Sequence, residues 1–161
     1  MITAYLSLGS NLGDREKNLQ VAREYILRNF YDVRFSKVYE SEPVELLDQP
    51  WFLNQITELR TDWPSETLLE WAQRLEKRMG RQRTIPKGPR TLDIDILLYG
   101  KKVQTEQTLI LPHPRLFHRR HVLVPLVELV PALRLPPKGI SAEEALKKTK
   151  DFSQVRTYAR S

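Results

Sequence analysis

Cysteine is absent from this 161-residue chain, which excludes a disulfide framework, a thiolate metal site and a cysteine nucleophile. No apolar run reaches membrane-spanning length, since Pro125, Glu128 and Pro131 break the best candidate. The opening MITAYLSLGS has no basic leader followed by a long apolar stretch, so a secretory signal is not expected and the cytoplasm is the expected compartment. His113, His118 and His121 have no zinc-like spacing and no cysteine partners, which argues against a histidine metal triad. No serine sits in a nucleophile elbow, so covalent catalysis has no candidate. GSNLGD lacks the Lys and Ser or Thr that complete a Walker loop and is no dinucleotide fingerprint. Gly9 and Gly13 read as turn glycines.

What is present is basic. The formal net charge is +6, which favours an anionic partner. Arg74, Arg78, Arg81, Arg83 and Arg90, with Lys77 and Lys87, crowd one region, and Arg115, Arg119 and Arg120 form a second group. The length fits one domain, residues 1–161, able to bury a real core. Ile2, Ala4, Leu6 and Leu8 alternate with polar residues as a strand does. From Asp14, the positions Leu19, Ala22, Ile26 and Phe30 repeat at helical spacing. Val33 to Tyr39 and Phe52 to Thr61 are two further strand candidates. Between them lies YESEPVELLDQPW, a loop longer than a hairpin needs. Pro64 and Ser65 open a second helix with Leu68, Ala72, Leu75 and Met79 on one face and Gly80 as its stop. With GPRTLDIDILLYG as a fourth strand, the order is βαββαβ. The fold class this predicts is α+β: a ferredoxin-like core with an antiparallel sheet, both helices on one face, and a C-terminal extension. Ser141 and Glu144 form a capping box for a short last helix.

The fourth strand poses the functional question. A period of two puts Leu92, Ile94, Ile96 and Leu98 on one face, and Thr91, Asp93, Asp95, Leu97 and Tyr99 on the other. Slipping by one residue would drive both carboxylates into the core, so the apolar set determines where the acids point. Positions i and i+2 stand roughly 6.6 Å apart, where like charges repel by about 2.5 kcal/mol at an effective dielectric of about 20. Two readings stand: a solvated acidic rim, or a site for a hard cation such as magnesium that shares its shell with phosphates. The neighbouring arginines favour the second, because a polyphosphate carried by magnesium needs acids for the metal and guanidinium forks for the oxygens. Gln73 and Glu76, at i and i+3, fall on the same side of the preceding helix. A basic ferredoxin-like nucleic-acid-binding module is the rival from another class; a magnesium-dependent hydrolase is a second.

LGSNLGD at 8–14, DQPWFLNQ at 48–55, GPRTLDIDIL at 88–97 and LPHPRLFHRRHVLVPL at 111–126 resemble the 6-hydroxymethyl-7,8-dihydropterin pyrophosphokinase family of the folate pathway. The resemblance covers nearly the whole chain. It implies transfer of a pyrophosphoryl group from ATP to the pterin hydroxymethyl oxygen with release of AMP, and two Mg2+ ions held by Asp93 and Asp95. It implies Arg81 and Arg90 as the catalytic arginines on the phosphates, on or beside a closing loop. It further implies Gln73, Glu76, Arg83, Ile96, His113 and Arg119 at the nucleotide, with Ile96 contributing its backbone. For the pterin it implies Ser41, Pro43, Val44, Phe52, Asn54 and His121, the last standing where the family commonly has phenylalanine. The expected partners are ATP and 6-hydroxymethyl-7,8-dihydropterin, with no nucleic acid and no membrane, for a monomer or weak dimer.

Overall fold

The computed structural model describes residues 1–44, 46–80 and 90–159. In chain order its elements are β1 (Ile2–Ser10), α1 (Arg15–Asn29), β2 (Tyr31–Phe35), β3 (Tyr39–Ser41), β4 (Phe52–Thr61), α2 (Ser65–Arg78) and β5 (Asp93–Tyr99). The C-terminal third adds β6 (Gln104–Glu106), β7 (Leu109–Leu111), α3 (Arg120–Leu129), β8 (Arg134–Leu135), β9 (Ile140–Ser141), α4 (Ala142–Lys148) and β10 (Val155–Thr157). The main sheet is ordered β10-β3-β4-β1-β5, with β2 also paired to β4, and its pairings are antiparallel. This is the ferredoxin-like arrangement that the βαββαβ order predicts.

Helix α1 starts where Asp14 accepts the Lys17 N–H at 3.1 Å and turns Leu19, Ala22 and Ile26 inward. Helix α2 buries Leu68, Trp71, Ala72 and Leu75, and Gly80 beyond it takes a φ of +85°, the left-handed stop expected there. Phe30 packs edge-to-face on both Trp63 and Trp71, with ring centroids 4.9 Å apart in each pair. These side chains and the inward face of β1 form one core. The opposite face, from Tyr5, Ile56, Leu97 and Leu98, is covered by α3 and α4 in a second core. Ser141 Oγ accepts the Glu144 N–H at 3.1 Å and starts α4, as the capping box predicts.

Two strands depart from the simple pattern. The expected strand over Val33 to Tyr39 is two strands, because the chain bulges at Ser36. Phe35 pairs with Thr57 and Tyr39 with Asn54, so this side spends one residue more than β4 does. Ser36 covers the irregularity: its N–H donates to Ile56 O, and its Oγ accepts the Ile56 N–H, each at 2.9 Å. In β5, Leu6 faces Ile96 but Tyr5 faces Leu98, leaving Leu97 as an extra residue. Leu97 and Leu98 therefore both join the α3 side, whereas Tyr99 packs on the α1 and α2 side. The expected face assignment holds through Ile96 and fails at Leu98 and Tyr99. No described helix is long and apolar enough to cross a membrane.

Candidate active site

Asp93 and Asp95 precede the bulge, so alternation keeps both on the sheet face away from α1 and α2. Their β1 partners are Gly9 and Ser7. Gly9 also pairs with Asn54 on the other flank. A Cβ on Gly9 would lie 3.5 Å from Asn54 Oδ1 and 3.7 Å from the Phe52 ring, so its missing side chain leaves the cleft floor open between Asn54 and Asp93. Gly9 is thus a paired residue near the end of β1 and not the turn glycine expected; Gly13, at φ +74°, is one.

The cleft above this floor is lined by Ser41, Pro43, Val44, Phe52, Asn54, Arg90, Asp93, Asp95, Arg119 and His121 together with Ser7, Gly9, Glu42 and Gln49. All the expected pterin residues meet both acids here. Phe52 and Asn54 share a face of β4, two residues apart, and buried Asn54 donates its side-chain N–H to Ser41 Oγ. Arg90 Nη1 lies 3.2 Å from Asp93 Oδ2, with both side chains about one-fifth exposed. Their pairing in a half-closed cleft is worth more than an exposed one.

Asn11 holds this corner. It is 1% exposed. Its Oδ1 accepts the Arg90 N–H at 2.7 Å, its N–H donates to Arg90 O at 3.0 Å, and its Nδ2 reaches Gln49 Oε1 and Pro50 O at 2.9 and 3.0 Å. One buried amide therefore joins the end of β1, the approach to β5 and the loop before β4. Sequence reasoning singled out none of Ser7, Asn11, Glu42 or Gln49. The signal for Asn11 was its place in LGSNLGD, where the glycines drew attention instead.

Other expected residues lie elsewhere. Ile96 is 3% exposed and its side chain belongs to the α1 and α2 core. Glu76 is also buried, accepting the Ile94 N–H at 2.7 Å, whereas Gln73 is exposed. Ile94 sits between the two acids, so Glu76 holds the backbone that carries them. His113 borders the cleft: its N–H donates to Leu97 O at 2.9 Å and its Nε2 stands 3.9 Å from Asp95 Oδ1. Burial first, then the nearby Arg119 and Arg115 charges, push His113 down to about 4. Its ring is thus neutral near pH 7, and the contact with Asp95 is no ion pair. Nδ1 accepts the Arg115 N–H at 3.2 Å, which leaves the ring proton on Nε2. Arg81 and Arg83 lie outside the described residues.

A family model described as 7,8-dihydro-6-hydroxymethylpterin-pyrophosphokinase (HPPK) matches residues 5–131. The 2-amino-4-hydroxy-6-hydroxymethyldihydropteridine pyrophosphokinase of Bacillus subtilis is 43% identical over 129 residues, covering 78% of this chain and 77% of that one. The enzyme of the same name from Haemophilus influenzae is 40% identical over 145 residues, 89% of this chain and 91% of its own. The folic acid synthesis protein fol1 of Pneumocystis carinii is 40% identical over 148 residues, and the chain spans 20% of that protein's length. Among solved structures, a Plasmodium falciparum HPPK-DHPS variant with pterin and p-hydroxybenzoate superposes with a TM-score of 0.70 at 14% identity, covering 91% of this chain and 43% of that chain. The fold and these relatives place the chain among the pyrophosphokinases. It belongs to the 7,8-dihydro-6-hydroxymethylpterin-pyrophosphokinase (HPPK) family.

Proposed function

We propose that this chain transfers the β,γ-pyrophosphoryl group of ATP to the hydroxymethyl oxygen of 6-hydroxymethyl-7,8-dihydropterin, releasing AMP, in folate synthesis. The observation that carries the reading is the convergence of Asp93 and Asp95 with Ser41, Phe52 and Asn54 on one cleft. A pterin is a flat ring with a donor and acceptor edge. Phe52 and His121 offer ring faces to stack on it, and the Asn54 amide and Ser41 hydroxyl offer polar partners for its edge.

The donor set fits magnesium. Two carboxylates on one face, open to a cleft, supply hard oxygens and leave room for waters and phosphate oxygens. When bound there, two magnesium ions supply charge neutralisation at the triphosphate and make the substrate hydroxyl a better nucleophile. Asp93 and Asp95 would hold them. Arg90, now beside Asp93, is within reach of a change of partner to a phosphate oxygen, and Arg119 offers a second fork from the start of α3. Arg81 and Arg83 would complete the phosphate contacts, and Gln73, Ile96 and His113 would contribute to the nucleotide side. For Glu76 we favour support of β5 over contact with the nucleotide.

In the reaction, the pterin oxygen forms a bond to the β-phosphorus, the bond from that phosphorus to the α,β-bridging oxygen breaks, and a proton leaves the hydroxyl. The reading takes the chain as one cytoplasmic pyrophosphokinase domain with no nucleic-acid or membrane partner. Incubation with Mg-ATP and the reduced pterin alcohol should yield AMP and the pterin pyrophosphate in equal amounts. Formation of ADP, or of AMP without pterin consumption, would overturn it.

A further inference from the structure

The family match ends at residue 131, yet the chain beyond it returns to the cleft. We infer that residues 151–156 form a strap that ties the two walls of the cleft together, with Asp151 as a positioning residue for Arg119 and His121. The inference rests on the reading of the cleft as the pterin and nucleotide site.

One end of the strap grips the start of α3. This helix has no capping side chain of its own: Arg119 occupies the cap position, and its side chain makes no capping hydrogen bond. Asp151 Oδ2 accepts the Arg120 N–H at 2.8 Å, and its Oδ1 accepts the Ser153 N–H at 3.0 Å. A carboxylate from a distant segment thus does what a local Ser or Asp does elsewhere, and it meets the positive end of the helix dipole. These hydrogen bonds outweigh the cost of partial burial and hold the Asp151 carboxyl below the usual range. Arg120 Nη1 also donates to Ser153 O at 3.2 Å. Arg119 and His121, on either side of Arg120, both line the cleft.

The other end grips the wall built from β3 and the loop after it. Gln154 N–H donates to Glu42 Oε1 at 2.8 Å, and Glu42 N–H donates to Gln154 O at 3.2 Å. Arg156 then donates to Glu40 Oε1 through Nε and Nη2, at 3.2 and 2.8 Å, and lies over the Trp51 ring 4.6 Å from its centroid. Ser41 and Pro43, flanking Glu42, line the cleft. The six positions 151–156 therefore bridge the aromatic wall at the start of α3 and the loop wall at β3, while the far end of α3 meets the β3 side directly, where Glu128 Oε1 accepts the Lys37 N–H at 2.8 Å and the Tyr39 hydroxyl at 3.1 Å. The strap ties the walls at the cleft end of α3.

The test pairs a mechanical and a kinetic readout on the full chain. In Asp151→Ala, amide exchange should quicken at the first turn of α3 and at Ser41, while the β1 and β4 amides exchange as before. The KM for the pterin alcohol should rise roughly two- to thirtyfold, the range that loss of a helix cap produces in an equilibrium, with kcat changed less than about twofold. Asp151→Asn, which keeps one carbonyl oxygen for the Arg120 N–H, should restore most of the affinity; a purely structural loss would shift the melting temperature without this split. Glu42→Ala removes the Gln154 N–H acceptor and so weakens the opposite anchor, leaving the Arg156–Glu40 fork in place. Both variants loosen one bridge, so the double variant should fall short of the product of the two single effects, whereas independent sites would multiply. Multiplicative effects, an unchanged pterin KM, or unaltered exchange at Ser41 would each overturn the strap. If the unmodified chain produced no AMP, the assigned reaction would be at fault, and the exchange measurement would still decide whether the bridge exists.

Discussion

Glu76→Ala is the sharpest test of how β5 is held. The carboxylate is 5% exposed and accepts the Ile94 N–H at 2.7 Å. Among the described residues β5 is the edge of the sheet beside β1, and none of their strands pairs with this N–H on its outer side. Truncation leaves a buried donor unsatisfied, at about 1–3 kcal/mol, and removes buried methylene at about 0.8 kcal/mol per group. Relief of the buried charge offsets part of this. A net loss of about 2 kcal/mol follows, which for a chain of this size lowers the melting temperature by about 4–8 °C. Ile94 separates Asp93 from Asp95, so kcat should fall as well, by roughly tenfold if the acids lose about 1.4 kcal/mol of transition-state stabilisation. Glu76→Gln keeps an acceptor oxygen of the same shape, and should recover most of both losses. Thermal unfolding and AMP formation at saturating substrates read the two effects. A melting temperature within about 1 °C of the parent in Glu76→Ala, or a Gln variant as damaged as the Ala variant with a raised ATP KM, would refute the supporting role and return Glu76 to the nucleotide.

Asp93→Ala and Asp95→Ala should each lower turnover by about a thousandfold or more while circular dichroism stays that of the parent, since neither acid belongs to a core; near-normal rates at saturating magnesium would exclude them as ligands. Asn54→Ala should raise the pterin KM by about tenfold, leaving the Ser41 hydroxyl without its amide donor, and leave the ATP KM unchanged; titration calorimetry with each substrate checks the split. The Arg34 fork, with contacts at 2.8 and 3.0 Å, lowers the Glu58 pKa against the opposing effect of burial, and the Tyr5 hydroxyl lowers it further. A depressed carboxylate contributes stability above its unfolded pKa and loses it as pH falls through the folded one. The melting-temperature gap between the parent and Glu58→Gln should therefore shrink as pH drops from neutrality to below about 4; a gap constant across that range would refute the assignment.

Much of this molecule is legible from local pattern. Alternation in β1, β4 and the first half of β5 set which residues face the helices, and Asp14, Gly80 and Ser141 mark element ends through hydrogen bonds and backbone freedom that a few neighbours suffice to specify. The same alternation delivered Asp93, Asp95, Phe52 and Asn54 to one side of the sheet. Its failures come where a second strand decides. The bulges at Ser36 and Leu97 each insert one residue relative to a partner strand, and nothing within either segment announces how the partner counts. Leu97 and Leu98 are equally apolar, so their face is chosen by α3 packing across the sheet.

Local periodicity and its resemblance to a family thus determined the order of elements, the direction of the acids and the chemistry to expect, because each of these depends on residues close in the chain. The depth of Glu76 behind Ile94, the open floor at Gly9, the knot of hydrogen bonds at Asn11 and the reach of Asp151 to α3 were decided only by the tertiary structure. Each joins segments far apart in sequence, and a polar side chain carries no mark of which distant backbone group it will satisfy until the sheet and helices have brought the two together.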